Sequence, residues 1–204
     1  TDLAALPHVF FKGATLSSVY YGDPYLRQYR DIDLLLDDGQ VATIGKLLVD
    51  RGYVVTNGEW EIFKIPDLVA FCRYNAALEL RSPSGITVEL HRTLDNSGCV
   101  LPADEFIDAR RPVAFAGTQM NVLPTAELFV YLCFHHARHK WSSLHWCGDL
   151  FAFAPEVQRE WTRVSALARR LGLERTLTES VQLRQNLDTL ARRGCLAVDS
   201  TASK

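Results

Sequence analysis

The sequence lacks a long hydrophobic run and carries almost no net charge. Its 204 residues hold 22 Lys and Arg against 24 Asp and Glu, a formal net charge of -2. Proteins that bind long nucleic acids normally carry a basic excess, so this balance argues against that class. No apolar run approaches the roughly 20 residues that cross a bilayer, so we expect no membrane-spanning helix. The 48% hydrophobic content is enough for a substantial core in one domain or a small pair.

Cysteine is also scarce, and its spacing fits reduced thiols better than a disulfide framework. The five thiols are widely separated, and none forms a Cys-x-x-Cys pair: Cys72, Cys99, Cys133, Cys147 and Cys195. An odd number of isolated cysteines is typical of a reduced, cytoplasmic protein. Residues 1–3 also lack the basic and apolar regions of a signal peptide, so we expect a cytoplasmic location.

The chain changes character near Pro124. Before this residue, short β-like runs between turn signals predict strands at residues 9–11, 32–36, 69–73, 77–81, 86–91, 113–115 and 120–123. Helical spacing of apolar residues predicts one helix there, over residues 39–50. After Pro124 the same spacing predicts helices over residues 125–138, 144–153, 156–171 and 174–190. We therefore predict an α+β domain at residues 1–123, followed by a helical region at residues 124–204.

The most informative segment is residues 30–36. Its apolar residues predict a buried strand, yet two carboxylates lie on one face of that strand. Side chains alternate along a strand, so Asp31 and Asp33 project together while Ile32 turns to the other side. Adjacent like charges repel and are costly to desolvate unless a positive charge lies between them. A divalent cation would supply that charge. Solvated or hydrogen-bonded loop carboxylates are the common alternative for an isolated Asp-x-Asp motif.

A second strand-like run supplies a third acid. Glu89 lies in the middle of residues 86–91, and His91 follows two positions later on the same face. Mg²⁺ prefers hard oxygen ligands in twos and threes, completed by waters and substrate phosphates. Asp31, Asp33 and Glu89 therefore form a candidate metal site. His91 is a candidate to orient Glu89 or to line the acceptor pocket, and a purely structural role is the alternative.

In order and spacing, these residues resemble the uncharacterised nucleotidyltransferase family within the polymerase β-like superfamily. The resemblance covers about residues 8–153 and rests on Lys12, Gly13, Tyr20, Tyr21, Arg27, Arg30, Asp31, Asp33, Glu89, Leu90 and His91. It implies a mixed sheet with flanking helices that presents an acid triad. The wider superfamily usually has Gly-Ser where this chain has Lys12 and Gly13. The usual serine contact to the triphosphate is therefore absent, and Lys12 is a candidate to replace it.

The resemblance also implies the reaction. A nucleoside monophosphate would pass from a nucleoside triphosphate, with ATP as the first candidate, to a hydroxyl-type acceptor on a small molecule or a protein. Pyrophosphate would be released. Asp31, Asp33 and Glu89 would act catalytically and would hold two Mg²⁺ ions, with Mn²⁺ as a substitute.

Nucleotide binding is expected from residues that flank the acids. Backbone N–H groups at Gly13 and the charge of Lys12 would face the phosphate oxygens. Arg27 and Arg30 are further phosphate candidates, or surface partners of the acids. Arg30 points away from the Asp31 face if the strand is regular, so Arg27 is the better candidate.

A second concentration of unusual residues lies in the helical region. His135 and His139 share one helix face, and His145 and Asp149 share another in the next helix. Zinc binding fits this spacing, but the His-Glu-x-x-His pattern is missing. The other readings are a helix crossing and an acceptor or nucleotide pocket with a tryptophan for stacking. The family resemblance favours the pocket, whose predicted members are His91, His135, His139, Trp141 and Asp149.

Two other function classes remain open at this stage. The chain could be an inactive nucleotidyltransferase that binds nucleotide or a partner without turnover. It could also be a metal-dependent phosphohydrolase, which uses clustered carboxylates but needs no acceptor. The sequence does not name the acceptor, although the charge balance makes long nucleic acid the least suitable one.

Overall fold

A computed structural model describes residues 6–57, 60–61 and 68–193 of the protein. Residues 1–3 and Cys195, used above for the expected location, lie outside these ranges. The strands are β1 (His8–Phe10), β2 (Asp31–Leu36), β3 (Val54–Asn57), β4 (Trp60–Glu61), β5 (Ala77–Arg81), β6 (Thr87–His91), β7 (Arg111–Phe115) and β8 (Thr118–Val122). These described strands form one mixed sheet in the order β4-β3-β5-β6-β2-β1-β8-β7.

Helices flank the sheet and follow it. The helices are α1 (Gly13–Leu16), which continues as a π-helical turn (Ser17–Tyr21), α2 (Asp38–Val49), α3 (Leu68–Tyr74), α4 (Ala103–Asp108), α5 (Thr125–Arg138), α6 (Leu144–Ala152), α7 (Ala154–Arg159), α8 (Trp161–Arg170) and α9 (Glu174–Arg192). The predicted α+β class, a mixed sheet followed by helices, is confirmed. Within the described residues, none of these helices combines the length and the apolar character that a membrane span requires.

Strand β2 lies centrally because it pairs on both sides. It runs antiparallel to β1, with Phe10 opposite Leu34, and parallel to β6, with Asp33 opposite Glu89. Alternation along β2 sends Leu34 and Leu36 to one face, where they pack in a core with α2 residues such as Val41. The same alternation sends Asp31 and Asp33 to the other face.

A second and larger core joins the sheet to the helices after Pro124. Val9 and Leu35 from the sheet pack in the same buried cluster as Phe129 of α5 and Val164 of α8. This shared core places α5 against the part of the sheet where β1 and β2 lie. The domain boundary predicted between residues 123 and 124 stays a prediction.

Two predictions of secondary structure were wrong. Residues 69–73 form most of helix α3 rather than a strand. A short apolar run fits either element, and here Cys72 is buried in the core that α2 shares with the sheet, so tertiary packing decides. The single helix predicted over residues 156–171 is two helices, α7 and α8, separated at Glu160, whose backbone leaves the helical region at φ -101 and ψ 16.

Candidate active site

Parallel pairing of β2 with β6 brings the predicted acids together. Asp33 lies directly opposite Glu89, and Asp31 lies opposite Thr87. Directly paired residues on neighbouring strands project from the same face of the sheet, at a strand spacing of about 4.8 Å. The Asp33 side chain is fully buried, Glu89 retains 26% of its side-chain exposure, and Asp31 is half-buried. The three acids therefore line one short stretch of the sheet.

Lys12 reaches the same stretch from the end of the first strand. Its Nζ lies 2.8 Å from Oδ1 of Asp33, and only 16% of the lysine side chain is exposed. Gly13 makes this approach possible because it adopts φ +64, and a Cβ there would lie 3.0 Å from the Asp31 carbonyl oxygen. The turn at Lys12 and Gly13 therefore lies directly on strand β2.

His91 connects two of the acids. Its Nε2 lies 3.1 Å from Oδ1 of Asp33 and 3.0 Å from Oε2 of Glu89. The ring packs edge-on against Phe11, with 5.1 Å between ring centroids, which holds the imidazole in place. The sequence predicted His91 on the face of Glu89, and the structure places it between Glu89 and Asp33.

The charges of this group depend on one another. Burial alone would raise the pKa of Asp33, but the Lys12 ammonium and the His91 imidazole hold that pKa well below its usual range. Burial likewise opposes the charge of His91, yet its contacts with Asp33 and Glu89 raise its pKa above the ordinary value. The pKa of Asp31 is raised by burial and by the neighbouring charge of Asp33. Asp33 is thus the firmly ionised member of the aspartate pair.

The residues present fit a divalent cation. Donor atoms of Asp33, Glu89 and His91 all lie within 4.8 Å of one another, and Asp31 lies outside this compact group, two residues earlier on the same strand face. Within the described part of the chain, the buried Oδ2 of Asp33 has no hydrogen-bond partner. A buried, ionised oxygen without a partner is costly, which is the condition that a cation would relieve.

Helix α5 presents a row of rings that begins beside Lys12. Burial raises the pKa of Tyr131 to about 12, and the nearby Lys12 ammonium acts in the opposite direction. The Tyr131 ring stacks on His135 at 5.5 Å between centroids, and His139 follows at 4.7 Å from His135. We name Tyr131, His135, His139 and the adjacent Trp146 the α5 ring row.

The α5 ring row connects the predicted pocket residues His135 and His139 to the acids. Burial, followed by the charge of Lys12, lowers the pKa of His135 to about 2, so this imidazole stays neutral. His139 is exposed at the outer end of the row. Tyr131 was missed by the sequence reasoning, although its position four residues before His135 places it on the same helix face.

Asp149 is the centre of a separate buried network. Arg27 donates from Nε to Oδ1 at 2.7 Å and from Nη2 to Oδ2 at 3.1 Å. The Tyr21 hydroxyl donates to Oδ1 at 2.7 Å, and Nε2 of His136 lies 3.0 Å from Oδ2. Burial alone would raise the Asp149 pKa, but His136, Arg27 and Tyr21 lower it. We name these four residues the Asp149 network.

The remaining predicted residues lie around this network. Trp141 packs edge-on against His136 at 5.3 Å between centroids, whereas Trp146 stacks on His136 at 5.1 Å. Arg30 is exposed one residue before β2. Arg27 is buried and directs Nε and Nη2 to Asp149. The nucleotide and pocket roles predicted for these residues stay predictions.

A mixed sheet with acids on two adjacent parallel strands, followed by a helical layer, matches the architecture expected of a nucleotidyltransferase. A family model described as uncharacterised nucleotidyltransferase matches residues 3–187, and the chain belongs to this family of enzymes. The family resemblance read from the sequence is confirmed.

Two solved structures resemble the chain at low identity. One is the lincosamide antibiotic adenylyltransferase LnuA bound to lincomycin, 15% identical, covering 60% of this chain and 73% of that one, with a TM-score of 0.39. The other is an antigenic nucleotidyltransferase-like protein from Paracoccidioides brasiliensis, 15% identical, covering 86% of this chain and 84% of that one, with a TM-score of 0.45. No curated protein sequence matches the chain significantly.

Proposed function

We propose that the protein is a cytoplasmic, Mg²⁺-dependent nucleotidyltransferase. It would transfer a nucleoside monophosphate from a nucleoside triphosphate, with ATP as the first candidate, to a hydroxyl of a small-molecule or protein acceptor, and release pyrophosphate. Family membership gives the class of reaction. The observation that supports the metal dependence is the parallel register of β2 and β6, which sets Asp33 opposite Glu89 with Asp31 on the same face.

Asp31, Asp33 and Glu89 would hold the metal, two Mg²⁺ ions or Mn²⁺ in their place. Bound metal of this kind neutralises phosphate charge and lowers the pKa of an acceptor hydroxyl. The partnerless Oδ2 of Asp33 supports this assignment, because it is a buried oxygen ready to accept a cation. His91 would orient Glu89 through the 3.0 Å contact of its Nε2.

The phosphates would be bound by the turn that lies on β2. The Lys12 ammonium and the backbone at Gly13 would stabilise the triphosphate and the departing pyrophosphate. The exposed Arg30 would add charge from the residue before β2. Arg27 would act mainly through Asp149 by fixing the segment ahead of β2, and a phosphate contact would use the N–H groups that do not bind Asp149.

The acceptor would approach between Glu89 and the α5 ring row. Its hydroxyl oxygen would attack the α-phosphorus in line while the bond to pyrophosphate breaks, and Glu89 would take the proton. Glu89 suits this role because it keeps more side-chain exposure than Asp33. His135 and His139, with Trp141 and Asp149 behind them, would line the pocket, and the neutral ring of His135 fits an uncharged part of the acceptor.

Label transfer in cell extract tests the proposal directly. The purified protein would be incubated with each α-labelled triphosphate and Mg²⁺, and with the Glu89→Gln variant as the matched control. We expect one labelled acceptor that requires Mg²⁺, disappears with a chelator and is absent with the variant. Release of orthophosphate without a labelled product would instead indicate a phosphohydrolase. Nucleotide binding without any pyrophosphate release would indicate an inactive binding module.

A further inference from the structure

The Lys12 ammonium is paired with Asp33, the buried carboxylate that is the central candidate ligand for the metal. Asp33 is fully buried, and its Oδ1 already accepts from Lys12 at 2.8 Å and contacts Nε2 of His91 at 3.1 Å. Its Oδ2 has no partner among the described residues. A buried carboxylate is stable only when it is paired, so Lys12 supplies the positive charge that the group requires when no metal is bound.

This arrangement makes Lys12 and a divalent cation competitors. A cation at Oδ2 of Asp33 would lie within a few ångströms of the ammonium on Oδ1, in a region that water screens poorly. Moving the ammonium away would remove the repulsion but would break its 2.8 Å ion pair with Oδ1 of the buried Asp33. Without another anion for Lys12, metal binding is therefore opposed in both cases.

A triphosphate would remove this opposition. Lys12 is fixed at its backbone, since the turn at Gly13 lies against the Asp31 carbonyl, but its side chain keeps 16% of its exposure and ends beside Asp33. Phosphate oxygens that enter there would give the ammonium new anionic partners and would leave Asp33 to the metal. Binding free energies of two ligands that help each other in this way are linked reciprocally.

We propose that the Lys12 ammonium, by pairing with Asp33, takes the place of a divalent cation at the acids. The protein therefore binds divalent metal weakly until a nucleoside triphosphate is bound. This inference rests on the proposed function and extends it, because it concerns the order of loading rather than the reaction. It differs from a purely structural ion pair. Breaking a purely structural pair would lower the stability of the protein, but it would not make the affinity for metal depend on bound nucleotide.

Titration with Mn²⁺ alone tests the inference without turnover. Free Mn²⁺ would be followed by electron paramagnetic resonance in the wild type, K12M and K12Q. K46M is the matched control, because Lys46 is exposed and pairs with Asp50 on the surface of α2. We expect K12M and K12Q to bind Mn²⁺ about tenfold more tightly than the wild type, which corresponds to about 1.4 kcal/mol. K46M should bind as the wild type does.

The same titration would then be repeated with α,β-methylene ATP, which cannot be cleaved at the α-phosphorus. A titration of the analogue without protein measures the Mn²⁺ that the analogue binds by itself. Beyond that amount, we expect the analogue to tighten Mn²⁺ binding to the protein by about tenfold or more in the wild type and K46M, and by much less in the Lys12 variants. Circular dichroism would confirm that each variant is folded, and K12Q keeps an N–H donor for Asp33 if K12M does not fold.

The outcomes separate the inference from the proposed function. Equal or weaker Mn²⁺ binding in the folded Lys12 variants would overturn the inference alone, provided that the wild type binds Mn²⁺ with the analogue. If no protein bound Mn²⁺ beyond the amount that the analogue binds by itself, and none bound Mn²⁺ without the analogue, both would be overturned.

Discussion

Asp31 and Asp33 share a strand face, yet their surroundings give them different roles. Asp33 is buried against Lys12 and His91, and these positive partners lower its pKa. Asp31 is half-buried, and burial together with the charge of Asp33 raises its pKa. The first carboxylate therefore stabilises its neighbours when no metal is bound, whereas the second adds repulsion.

Substitution should separate the two aspartates. Without metal, Asp33→Asn leaves Lys12 buried beside a neutral side chain, so we expect the free energy of unfolding to fall by about 3–5 kcal/mol. Asp31→Asn removes repulsion and should leave stability unchanged or slightly higher. Urea unfolding with a chelator present measures both effects, and calorimetry should show loss of Mg²⁺-dependent nucleotide binding in each variant. Equal stability of the two variants would contradict the pairing of Lys12 with Asp33.

Glu89 should affect turnover more than binding. We expect Glu89→Gln to lower the rate of the chemical step by at least about a hundredfold, the scale of a lost acid-base or metal-activating group. Affinity for the triphosphate should change little, because Lys12 and the turn at Gly13 supply those contacts. Single-turnover pyrophosphate release measures the rate. A variant that keeps most of the wild-type rate would assign Glu89 a structural role.

Sequence alternation was enough to place Asp31, Asp33 and Glu89 on one face of the sheet, because the period of a strand is fixed. The contact between Lys12 and Asp33 could not be predicted in this way. It depends on how the turn at Gly13 lies across β2, which is a tertiary feature. The repulsion inferred from the sequence is therefore relieved by a side chain that lies 21 positions earlier in the chain.

At the scale of elements, the Asp149 network fixes the segment ahead of β2 to the helices. Tyr21 and Arg27 come from that segment, His136 comes from α5, and Asp149 comes from α6. Arg27 and Asp149 are both almost completely buried. Loss of one partner would leave the other charge buried and unpaired, which is more costly than the pair itself.

Asp149→Asn should therefore destabilise the protein in a pH-dependent way. We expect a loss of about 3–5 kcal/mol in the free energy of unfolding near neutral pH. The folded-state pKa of Asp149 is lowered, so its contribution is present above the unfolded value of about 4 and is lost as the pH falls through the folded value. The difference between wild type and variant should thus narrow below about pH 4.

Asp188 offers the matched control for this measurement. It pairs with Arg192 on the exposed side of α9, so Asp188→Asn should change stability by no more than about 0.5 kcal/mol at any pH. Urea titrations across the acid range compare the three proteins. A constant difference between wild type and Asp149→Asn down to the lowest pH would argue against ionised Asp149 as the stabilising group.

Element type was predictable where the apolar pattern was long. Helix α5 was predicted at its observed bounds, because it carries apolar residues over several turns. Helix α3 was predicted as a strand, since seven residues are too few for the period to distinguish the two elements. Helix α4 was missed, although Pro102 followed by Asp104 and Glu105 is a helix-start signal.

For the whole molecule, the shared core orients the helices against the active face of the sheet. Val9 and Leu35 pack in one cluster with Phe129 and Val164, and this contact brings α5 alongside the acids. A pattern of apolar residues predicts that such a core exists but not which helix face meets which strand. The position of His135 near Lys12 therefore required the structure.

The packing of α5 predicts different effects for substitutions of His136, which is buried, and His139, which is exposed. His139 is exposed at the outer end of the α5 ring row, so His139→Ala should leave stability within about 0.5 kcal/mol while weakening acceptor use. His136 is fully buried in the Asp149 network, so His136→Ala should cost about 1–3 kcal/mol. Thermal unfolding and the KM for the acceptor identified by label transfer measure the two effects. An unchanged KM in His139→Ala would remove it from the pocket.

The alternation of the six residues of β2 also determines what a shift in strand register would do to the protein. Asp33 and the leucines alternate along this strand, so a slip of one position would turn Asp33 towards the core at α2 and Leu34 towards the face that now carries Asp33. The position of the acids and the packing of the core therefore both depend on the same strand register. A shift in register would therefore separate Asp33 from Lys12 and His91 and bury its carboxylate among leucines in the same step.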